Sequence, residues 1–526
     1  AAGAGLGDRA EGARRPTGPG VDGHAVGPRG DQGRPAVIDR QIRRLGLAFV
    51  ILFLLLFGQV NYLQVFAAQR ISENPANRRI ILQEYSTQRG AILARDERTV
   101  LAKSVPTNDS LKYLRVYPGG ALYGQITGYY SLIYGRSGLE SAYDDYLSGR
   151  ASALQPQNLV DEILGRAKRG ATVVTTIDPK LQQAAAHALG SLPGAVVALD
   201  PRTGEVLAMV SNPSFDPSPL ASHIGANQRA AWNRLTHSPS KPLLARAFQE
   251  VYPPGSTFKM VTASAALQNG LMPTTLFPNP PLLDLPQTTN TLQNFGGEHC
   301  LGGVPQITLA QALTVSCNVV FGEVGLRLGA DKLVAQAQRF GFGQHVPFDL
   351  PFAEGQIPPA SSFKDNLPLV AYSAIGQASV AANPLQMAMV GEAIANGGVE
   401  MQPHLVRRIL DPQGRVVNTT LPQVYARPIS PQTAAQMTSM MVQVVQSGTG
   451  TAAQIPGVAV AGKTGTAQHA GGNNPHAWFV CFAPAQNPRI VVAVVVLNGG
   501  SMGSEATGGQ VAAPIAKAVL QAALGK

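Results

Sequence analysis

Leu45–Phe66 is a predominantly apolar run of 22 residues without a charged side chain. At about 1.5 Å per residue, a helix of this length spans the roughly 30 Å hydrocarbon core of a membrane. A cleaved signal peptide is the alternative, because Val65-Phe66-Ala67 loosely resembles a cleavage site, but signal cores are shorter. Arg40, Arg43 and Arg44 precede the run. The excess of arginine before the run relative to the residues after it indicates a cytoplasmic N-terminus. We therefore expect one retained transmembrane helix at residues 45–66.

The regions on either side of this run have different compositions. Residues 1–44 are rich in Gly, Ala, Arg and Pro, so they lack the apolar side chains for a core and are predicted to be a disordered cytoplasmic tail. Residues 67–165 alternate short strand-like runs with turns, among them a hairpin turn at Arg95-Asp96-Glu97-Arg98. That region offers no pairing of a nucleophile with a base, which indicates a spacer or docking domain.

From residue 166 onward, the sequence predicts a larger domain. A hairpin is predicted near residues 195–210, helices dominate the middle, and a helix at Gln510–Leu524 closes the chain. Three further strands are predicted near the end, at Val458–Gln468, Ala477–Ala483 and Ile490–Leu497. Strands at both ends of a region with helices between them indicate one antiparallel sheet built from both termini, in an α+β architecture.

Pro253-Pro254-Gly255-Ser256-Thr257-Phe258-Lys259 contains the best candidate for a nucleophile. A turn followed by apolar residues at helical spacing places Ser256 at a helix start and Lys259 one turn later. A buried lysine beside another cation can lose its proton and serve as the base that a serine nucleophile needs. The same spacing occurs at Ser238/Lys241 and Ser361/Lys364, but neither pair opens an apolar helix.

Ser316-Cys317-Asn318 is by itself a weaker indication of a catalytic site, and it becomes informative together with the Ser256/Lys259 motif. At a helix junction or tight loop, the hydroxyl and the carboxamide can both face a cleft. Ser316 could then pass a proton to a leaving amine, while Asn318 orients Lys259 and a substrate carbonyl. Ser-x-Asn is also common by chance.

Lys463-Thr464-Gly465-Thr466 contains the only Lys-Thr-Gly of the chain. It lies in a predicted strand whose small residues, Ala461, Gly462 and Gly465, are expected to let a ligand backbone approach closely. On an edge strand this segment would pair with an extended peptide. The alternative is a solvated lysine in a strand weakened by glycine.

In this order, the three motifs resemble those of the penicilloyl serine transferases and, within them, the class B penicillin-binding proteins. The resemblance covers about residues 40–526 and extends to Tyr252–Lys259, Gly376-Gln377, Asn383-Pro384-Leu385-Gln386, Gly448-Thr449-Gly450-Thr451 and Ala477-Trp478-Phe479. The short spacer looks most like the pedestal of the penicillin-binding protein A branch, with Arg89-Gly90-Ala91-Ile92 and Gly138-Leu139-Glu140 at the expected places.

This resemblance implies a penicillin-binding transpeptidase fold at residues 166–526, with a five-stranded antiparallel sheet flanked by helices and an all-helical subdomain, after a β-rich pedestal at 67–165. It implies a membrane-anchored peptidoglycan D,D-transpeptidase that cross-links stem peptides ending in D-Ala-D-Ala through a serine acyl-enzyme, binds β-lactams and needs no metal or cofactor. The implied catalytic residues are Ser256, Lys259, Ser316, Asn318 and Lys463. The implied substrate-binding residues are Thr464, Gly465 and Thr466.

The resemblance also implies a partner protein, and it leaves two alternative functions open. A pedestal of this size is too small for a glycosyltransferase, so a polytopic glycosyltransferase of the shape, elongation, division and sporulation family is expected as partner. A serine β-lactamase is the first alternative, since Glu392 and Asn396 have the Glu-x-x-x-Asn spacing of a deacylating group. A non-catalytic β-lactam-binding scaffold or sensor of the envelope is the second.

Charge and cysteine content add two constraints. The net charge of +10 is scattered along the chain, which argues against nucleic-acid binding. Cys300 and Cys317 could pair in an oxidising compartment or remain two buried thiols, and Cys481 is expected to be a small core residue.

Overall fold

A computed structural model describes residues 36–62, 84–297, 299–468, 474–500 and 502–526. The chain divides into two compact units, one ending at Asn77 and one running from Arg78 to the C-terminus.

The described part of the first unit contains helix α1 (Ala36–Asn61). Residues Arg40–Asn61 are long and apolar enough to cross a membrane, in agreement with the predicted anchor. The helix begins earlier than predicted, because no glycine or proline interrupts residues 36–45. Most of the predicted tail and Val65-Phe66-Ala67 lie outside the described residues.

The second unit is an α+β structure with short 3-10 helices between its main elements. Its helices are α2 (Gly124–Thr127), α3 (Gly138–Ala142), α4 (Asp144–Leu147), α5 (Gln155–Ile163), α6 (Pro179–Leu189), α7 (Gly225–Thr236), α8 (Lys259–Gln268), α9 (Leu309–Thr314), α10 (Asn318–Leu328), α11 (Ala330–Arg339), α12 (Pro368–Ala374), α13 (Pro384–Ala395), α14 (Pro431–Ser447) and α15 (Ala513–Leu524). A single turn of π-helix, Gly508–Ala512, precedes α15.

The strands number 19 in the described residues. They are β1 (Ile92–Leu93), β2 (Val100–Pro106), β3 (Tyr113–Val116), β4 (Tyr130–Ser131), β5 (Gly135–Arg136), β6 (Thr172–Thr175), β7 (Gly194–Leu199), β8 (Val206–Asn212), β9 (Leu276–Pro278), β10 (Leu282–Asp284), β11 (Thr291–Gln293), β12 (Gln306–Thr308), β13 (Glu400–Met401), β14 (Val406–Leu410), β15 (Val416–Thr419), β16 (Val424–Ala426), β17 (Ala461–Ala467), β18 (His476–Ala483) and β19 (Ile490–Val496).

The larger domain is built around a five-stranded sheet of order β17-β18-β19-β7-β8. All four of its ladders are antiparallel, so the sheet joins strands from both ends of the domain as predicted. Successive side chains of a strand point to opposite faces. In β19, Ala493 packs into the core that contains α13, whereas Val492 and Val494 pack into the core that contains α6 and α15. Helices therefore cover both faces, and β17 is left at an edge.

A helical subdomain follows the first residues of α8. It contains α9 to α12, as well as two short ladders, β9 with β12 and β10 with β11. These ladders place the segment after β11 next to the start of α10.

The pedestal contains a six-stranded sheet of order β15-β14-β6-β1-β2-β3. The predicted hairpin turn at 95–98 joins β1 to β2, which pair as antiparallel strands. Three strands of this sheet come from outside the pedestal segment 67–165: β6 extends it next to β1, and β14 and β15 return to it from beyond residue 400. The two domains are thus tied together by shared hydrogen-bond ladders.

The family motifs of the pedestal meet in one buried ion cluster. Glu140 is fully buried and accepts hydrogen bonds from Arg89 Nε and Arg115 Nε, both at 2.6 Å. Arg89 also donates to Asp144 at 2.6 Å. Burial alone would raise the pKa of Glu140, but the two guanidinium groups lower it below its ordinary value.

Replacing Glu140 with alanine is expected to destabilise the second unit by about 3–5 kcal/mol, because it leaves the buried guanidinium group of Arg115 without its counter-charge and that of Arg89 with Asp144 alone. Denaturant unfolding of the detergent-solubilised chain, followed by circular dichroism, measures this loss. Asp145→Ala is the control, since that carboxylate is 72% exposed and makes one long ion pair with Arg150. Equal losses for both variants would contradict the structural role of the cluster.

Candidate active site

Ser256 lies in a 3-10 turn, Gly255–Phe258, that leads directly into α8. Gly255 has a φ of 52°, and a Cβ there would lie 2.7 Å from Thr466 O. The glycine therefore allows both the left-handed backbone and the close packing of the serine turn against strand β17. Lys259 is the first residue of α8, one turn after Ser256, as the sequence predicts.

Several family motifs outside the three main ones hold this turn in place. Trp478 on β18 donates its indole N–H to Pro253 O at 2.9 Å. The N–H of Gly255 donates to Gly376 O at 3.0 Å. Thr257 Oγ1 donates to Pro254 O at 2.7 Å. The nucleophile candidate is thus fixed from β18, from the loop after α12 and from within its own turn.

Ser316-Cys317-Asn318 forms the junction between α9 and α10. Ser316 has a φ of 60°, a left-handed conformation that few residues other than glycine adopt. Cys317 is joined to Cys300 by a disulfide with a Cα–Cα distance of 5.8 Å, so of the two alternatives for these cysteines the structure has the bonded one. Cys481 is buried and free, the core residue that was expected.

Two buried lysines converge on Ser316. Lys259 Nζ donates to Ser316 O at 2.6 Å and to Asn318 Oδ1 at 2.7 Å. Lys463 Nζ donates to Ser316 Oγ at 2.8 Å and to Thr464 O at 2.8 Å. Both lysines are fully buried. The three predicted motifs, widely separated along the chain, therefore meet in one hydrogen-bonded group.

Burial changes the protonation of both lysines. Loss of hydration lowers the pKa of Lys259 well below its ordinary value, and the charge of Lys463 lowers it further. Burial lowers the pKa of Lys463 to about 7. A lysine with a depressed pKa, in reach of a hydroxyl and beside a cleft, has the properties of a general base.

The Lys-Thr-Gly segment lies on β17, the edge strand of the sheet. Thr464 and Thr466 line the cleft, whereas Gly465 does not. A Cβ at Gly465 would lie 2.9 Å from Pro254 O and 3.0 Å from Trp478 Cβ. The sequence interpretation that these small residues admit a ligand backbone is therefore wrong for Gly465, because the chain itself fills the space there.

The cleft has a volume of about 1350 Å³. Ser256, Ser316, Asn318, Thr464 and Thr466 all line it, and residues 289–296 and 299–301 form one wall. Within the described residues, the hydroxyl of Ser256 makes no hydrogen bond, so it is available to a ligand. Among the described residues, no three side chains of the metal-binding types lie close enough together to hold an ion.

Sequence reasoning missed polar residues of this cleft. Thr449 Oγ1 lies 2.6 Å from Thr464 Oγ1, whereas the sequence indicates Gly448-Thr449 only as a family motif. Asn294 hydrogen-bonds the backbone of Asn318 and belongs to none of the sequence motifs. Its position is set by a distant loop, so no local pattern indicates it.

Comparison with known families finds two matches. Residues 194–521 match the penicillin-binding protein transpeptidase domain. Residues 89–173 match the penicillin-binding protein A dimerisation domain.

Curated relatives and solved structures agree with these matches. The chain is 45% identical to peptidoglycan D,D-transpeptidase PbpA of Mycolicibacterium smegmatis over 93% of this chain and 99% of that protein. A relative with the same name from Mycobacterium tuberculosis is 42% identical, with the same coverage of both chains. The ceftriaxone acyl-enzyme complex of M. tuberculosis penicillin-binding protein A is 43% identical, with a TM-score of 0.80 over 84% of this chain and 100% of that one.

A transpeptidase domain from Eggerthella lenta is 36% identical, with a TM-score of 0.73 over 84% of this chain and 98% of that one. These likenesses confirm the resemblance inferred from the motifs: the chain belongs to the penicillin-binding protein transpeptidases.

Proposed function

We propose that this protein is a membrane-anchored peptidoglycan D,D-transpeptidase that cross-links stem peptides through an acyl-enzyme on Ser256. The observation that carries the proposal is the convergence of Ser256, the buried Lys259 and the Ser316–Lys463 pair on one cleft. Relatives at 42–45% identity bear the name peptidoglycan D,D-transpeptidase, which supports the same substrate class.

Lys259 is the base in the acylation step. A neutral amine has two N–H groups and one lone pair. The two short hydrogen bonds from Lys259 Nζ go to Ser316 O and Asn318 Oδ1, which leaves the lone pair for the proton of Ser256. Ser256 Oγ then attacks the carbonyl carbon of the penultimate D-Ala. The backbone N–H groups of Ser256 and Thr466 stabilise the oxyanion that forms.

Ser316 is the proton donor for the departing terminal D-Ala. The C–N bond breaks, and the leaving amine takes a proton from Ser316 Oγ. Lys463 Nζ donates to that oxygen and replaces the proton. An amine from a second stem peptide then attacks the ester and gives its proton to the Ser316–Lys463 pair. As the new peptide bond forms and the ester bond breaks, Lys259 returns the proton to Ser256 Oγ. The reaction needs no water and no redox partner.

Thr464, Thr466 and Lys463 bind the terminal carboxylate of the donor peptide. The two threonines line the cleft, and β17 presents an unpaired edge on which an extended peptide can add as a further strand. A β-lactam occupies the same place, acylates Ser256 and leaves a ring-opened product that blocks the acceptor amine.

The β-lactamase alternative is disfavoured by the position of Glu392. This residue is fully buried within α13, is not among the residues that line the cleft, and accepts the N–H of Met401 at 3.2 Å. Burial, with the nearby Glu400, raises its pKa well above the ordinary value. A carboxyl that is fully buried outside the cleft cannot activate water against an acyl-enzyme.

Nitrocefin hydrolysis separates these functions. We expect one burst of product equal to the enzyme concentration, followed by very slow release, whereas a β-lactamase turns over many times. Exchange of the terminal D-Ala of a stem-peptide analogue for a labelled D-amino acid tests the transpeptidase directly. A protein that binds penicillin but shows no exchange would be a scaffold or sensor, and the proposed function would be wrong.

The orientation of the anchor is also a proposal. Arg40, Arg43 and Arg44 lie at the N-terminal end of the apolar segment of α1, which favours an N-terminus in the cytoplasm and a catalytic domain outside it. In intact spheroplasts, external protease is expected to digest the catalytic domain and to spare an N-terminal epitope tag. Digestion of the tag instead would reverse the orientation.

A polytopic glycosyltransferase of the shape, elongation, division and sporulation family is the proposed partner. The matched domains are a dimerisation domain and a transpeptidase domain, and cross-linking requires glycan strands that another enzyme polymerises. Replacing Leu45–Phe66 with an unrelated apolar helix keeps the protein in the membrane. We expect this exchange to abolish co-purification with the polymerase, and undiminished co-purification would argue against contact through the anchor.

A further inference from the structure

Helix α10, which begins at Asn318, is capped by a distant residue. The usual N-cap side chain would come from Cys317, which makes no cap hydrogen bond. Instead, Asn294 Oδ1 accepts from the N–H of Asn318 at 2.8 Å and from the N–H of Val319 at 3.3 Å. Asn294 follows β11 and is only 8% exposed. The loop after β11 therefore supplies the acceptor that the first N–H groups of the helix need.

The last residue of β11, directly before this loop, fixes the side chain of Asn318. Its Nδ2 donates to Gln293 O at 3.2 Å, and this bond points its Oδ1 toward Lys259, which donates to it at 2.7 Å. Two neighbouring residues of the cleft wall thus hold both the backbone and the carboxamide of Asn318. Asn318 Oδ1 in turn is one of the two acceptors that make short hydrogen bonds with Lys259 Nζ.

We propose that Asn294 is a positioning residue for the transpeptidase reaction, which fixes Asn318 and, through it, the amine of Lys259. Without Oδ1 of Asn294, the first turn of α10 loses its cap, so the backbone that carries the Asn318 carboxamide can shift relative to Gln293 O and Lys259. Lys259 then loses one of the two acceptors that aim its lone pair at Ser256. This inference rests on the proposed function, because it assigns Asn294 to the same acylation step.

The experiment compares Asn294→Ala and Asn294→Asp by the rate at which benzylpenicillin acylates the full chain in detergent. The alanine variant is expected to react about 10- to 100-fold more slowly, since small misplacements of catalytic groups cost this much. The aspartate variant keeps an oxygen that accepts from both N–H groups, so its rate is expected to recover to within about tenfold of the wild type.

The pH dependence distinguishes positioning from stability. An aspartate at 294 adds a negative charge one side chain away from Lys259, which otherwise faces the charge of Lys463 on β17. The added charge favours the ammonium form, so the acidic limb of acylation moves to higher pH. His299, also on the cleft wall, is present in both variants.

Ser430→Ala is the matched control, because Ser430 caps α14 with a similar bond to Thr433 N at 3.1 Å and does not line the cleft. It is expected to lower the melting temperature without changing acylation. Acylation of Asn294→Ala at the wild-type rate would overturn the inference, as would an aspartate variant with an unshifted pH limb. If the alanine variant does not fold, the aspartate variant decides alone. Labelling of a Ser256→Ala protein would instead overturn the proposed function.

Discussion

Replacing Ser256 with alanine is expected to abolish acylation by penicillin and D-amino acid exchange, with a loss of about 10⁶-fold. Among the described residues, the Ser256 hydroxyl lines the cleft without a hydrogen-bond partner, whereas the Ser316 hydroxyl accepts from Lys463. Intact-mass spectrometry after exposure to benzylpenicillin measures the outcome. The wild-type protein should gain one adduct, mapped to the peptide that contains Ser256, and the variant should gain none.

The chain provides its own matched controls for this experiment. Ser238/Lys241 and Ser361/Lys364 repeat the Ser-x-x-Lys spacing, but neither lysine is the first residue of an α-helix, as Lys259 is, and neither pair lines the cleft. Ser238→Ala and Ser361→Ala are therefore expected to acylate at the wild-type rate. An adduct that persists in Ser256→Ala, or that disappears with either control, would place the nucleophile elsewhere.

The parts of the site that sequence predicts are those with a local cause. Pro-Pro-Gly before an apolar helical pattern places Ser256 at the start of a helix, and the β-branched run of β19 predicts a buried strand. The edge position of β17 follows less directly. It depends on the order in which strands from both ends of the domain pair, and the motifs could suggest it only through the family resemblance.

The features of the site that could not be predicted from the sequence depend on packing between segments that are distant along the chain. Asn294 is a cap for a helix whose first residue lies 24 positions later, a relation that no periodicity encodes. Position 465 requires glycine because Pro254 and Trp478 occupy the space that a side chain would need. Contact with a ligand is not the reason. The spacing from Glu392 to Asn396 looked catalytic, but the burial of Glu392 in α13 is decided by helix packing on the sheet.

Lys259→Arg is expected to lower the acylation rate by about 10³-fold or more, although it keeps a cation of similar length. A guanidinium stays protonated at every accessible pH, so it has no lone pair to accept the proton of Ser256, and a general base contributes about 10²–10⁴-fold. Lys364→Arg, outside the cleft, is the control and should be unaffected. Stopped-flow acylation with nitrocefin measures both rates. Near-wild-type acylation by Lys259→Arg would show that another group is the base.

The pH dependence of the wild-type protein follows from the same lysine. Burial and the charge of Lys463 lower the pKa of Lys259, so acylation should fall as acid protonates the amine. Lys463→Gln removes the neighbouring charge. The pKa of Lys259 should then rise, and the acidic limb of the acylation rate should move to higher pH, in addition to a lower maximum from the lost bond to Ser316. A limb that stays in place, or moves to lower pH, would mean that the acidic limb reports a group other than Lys259.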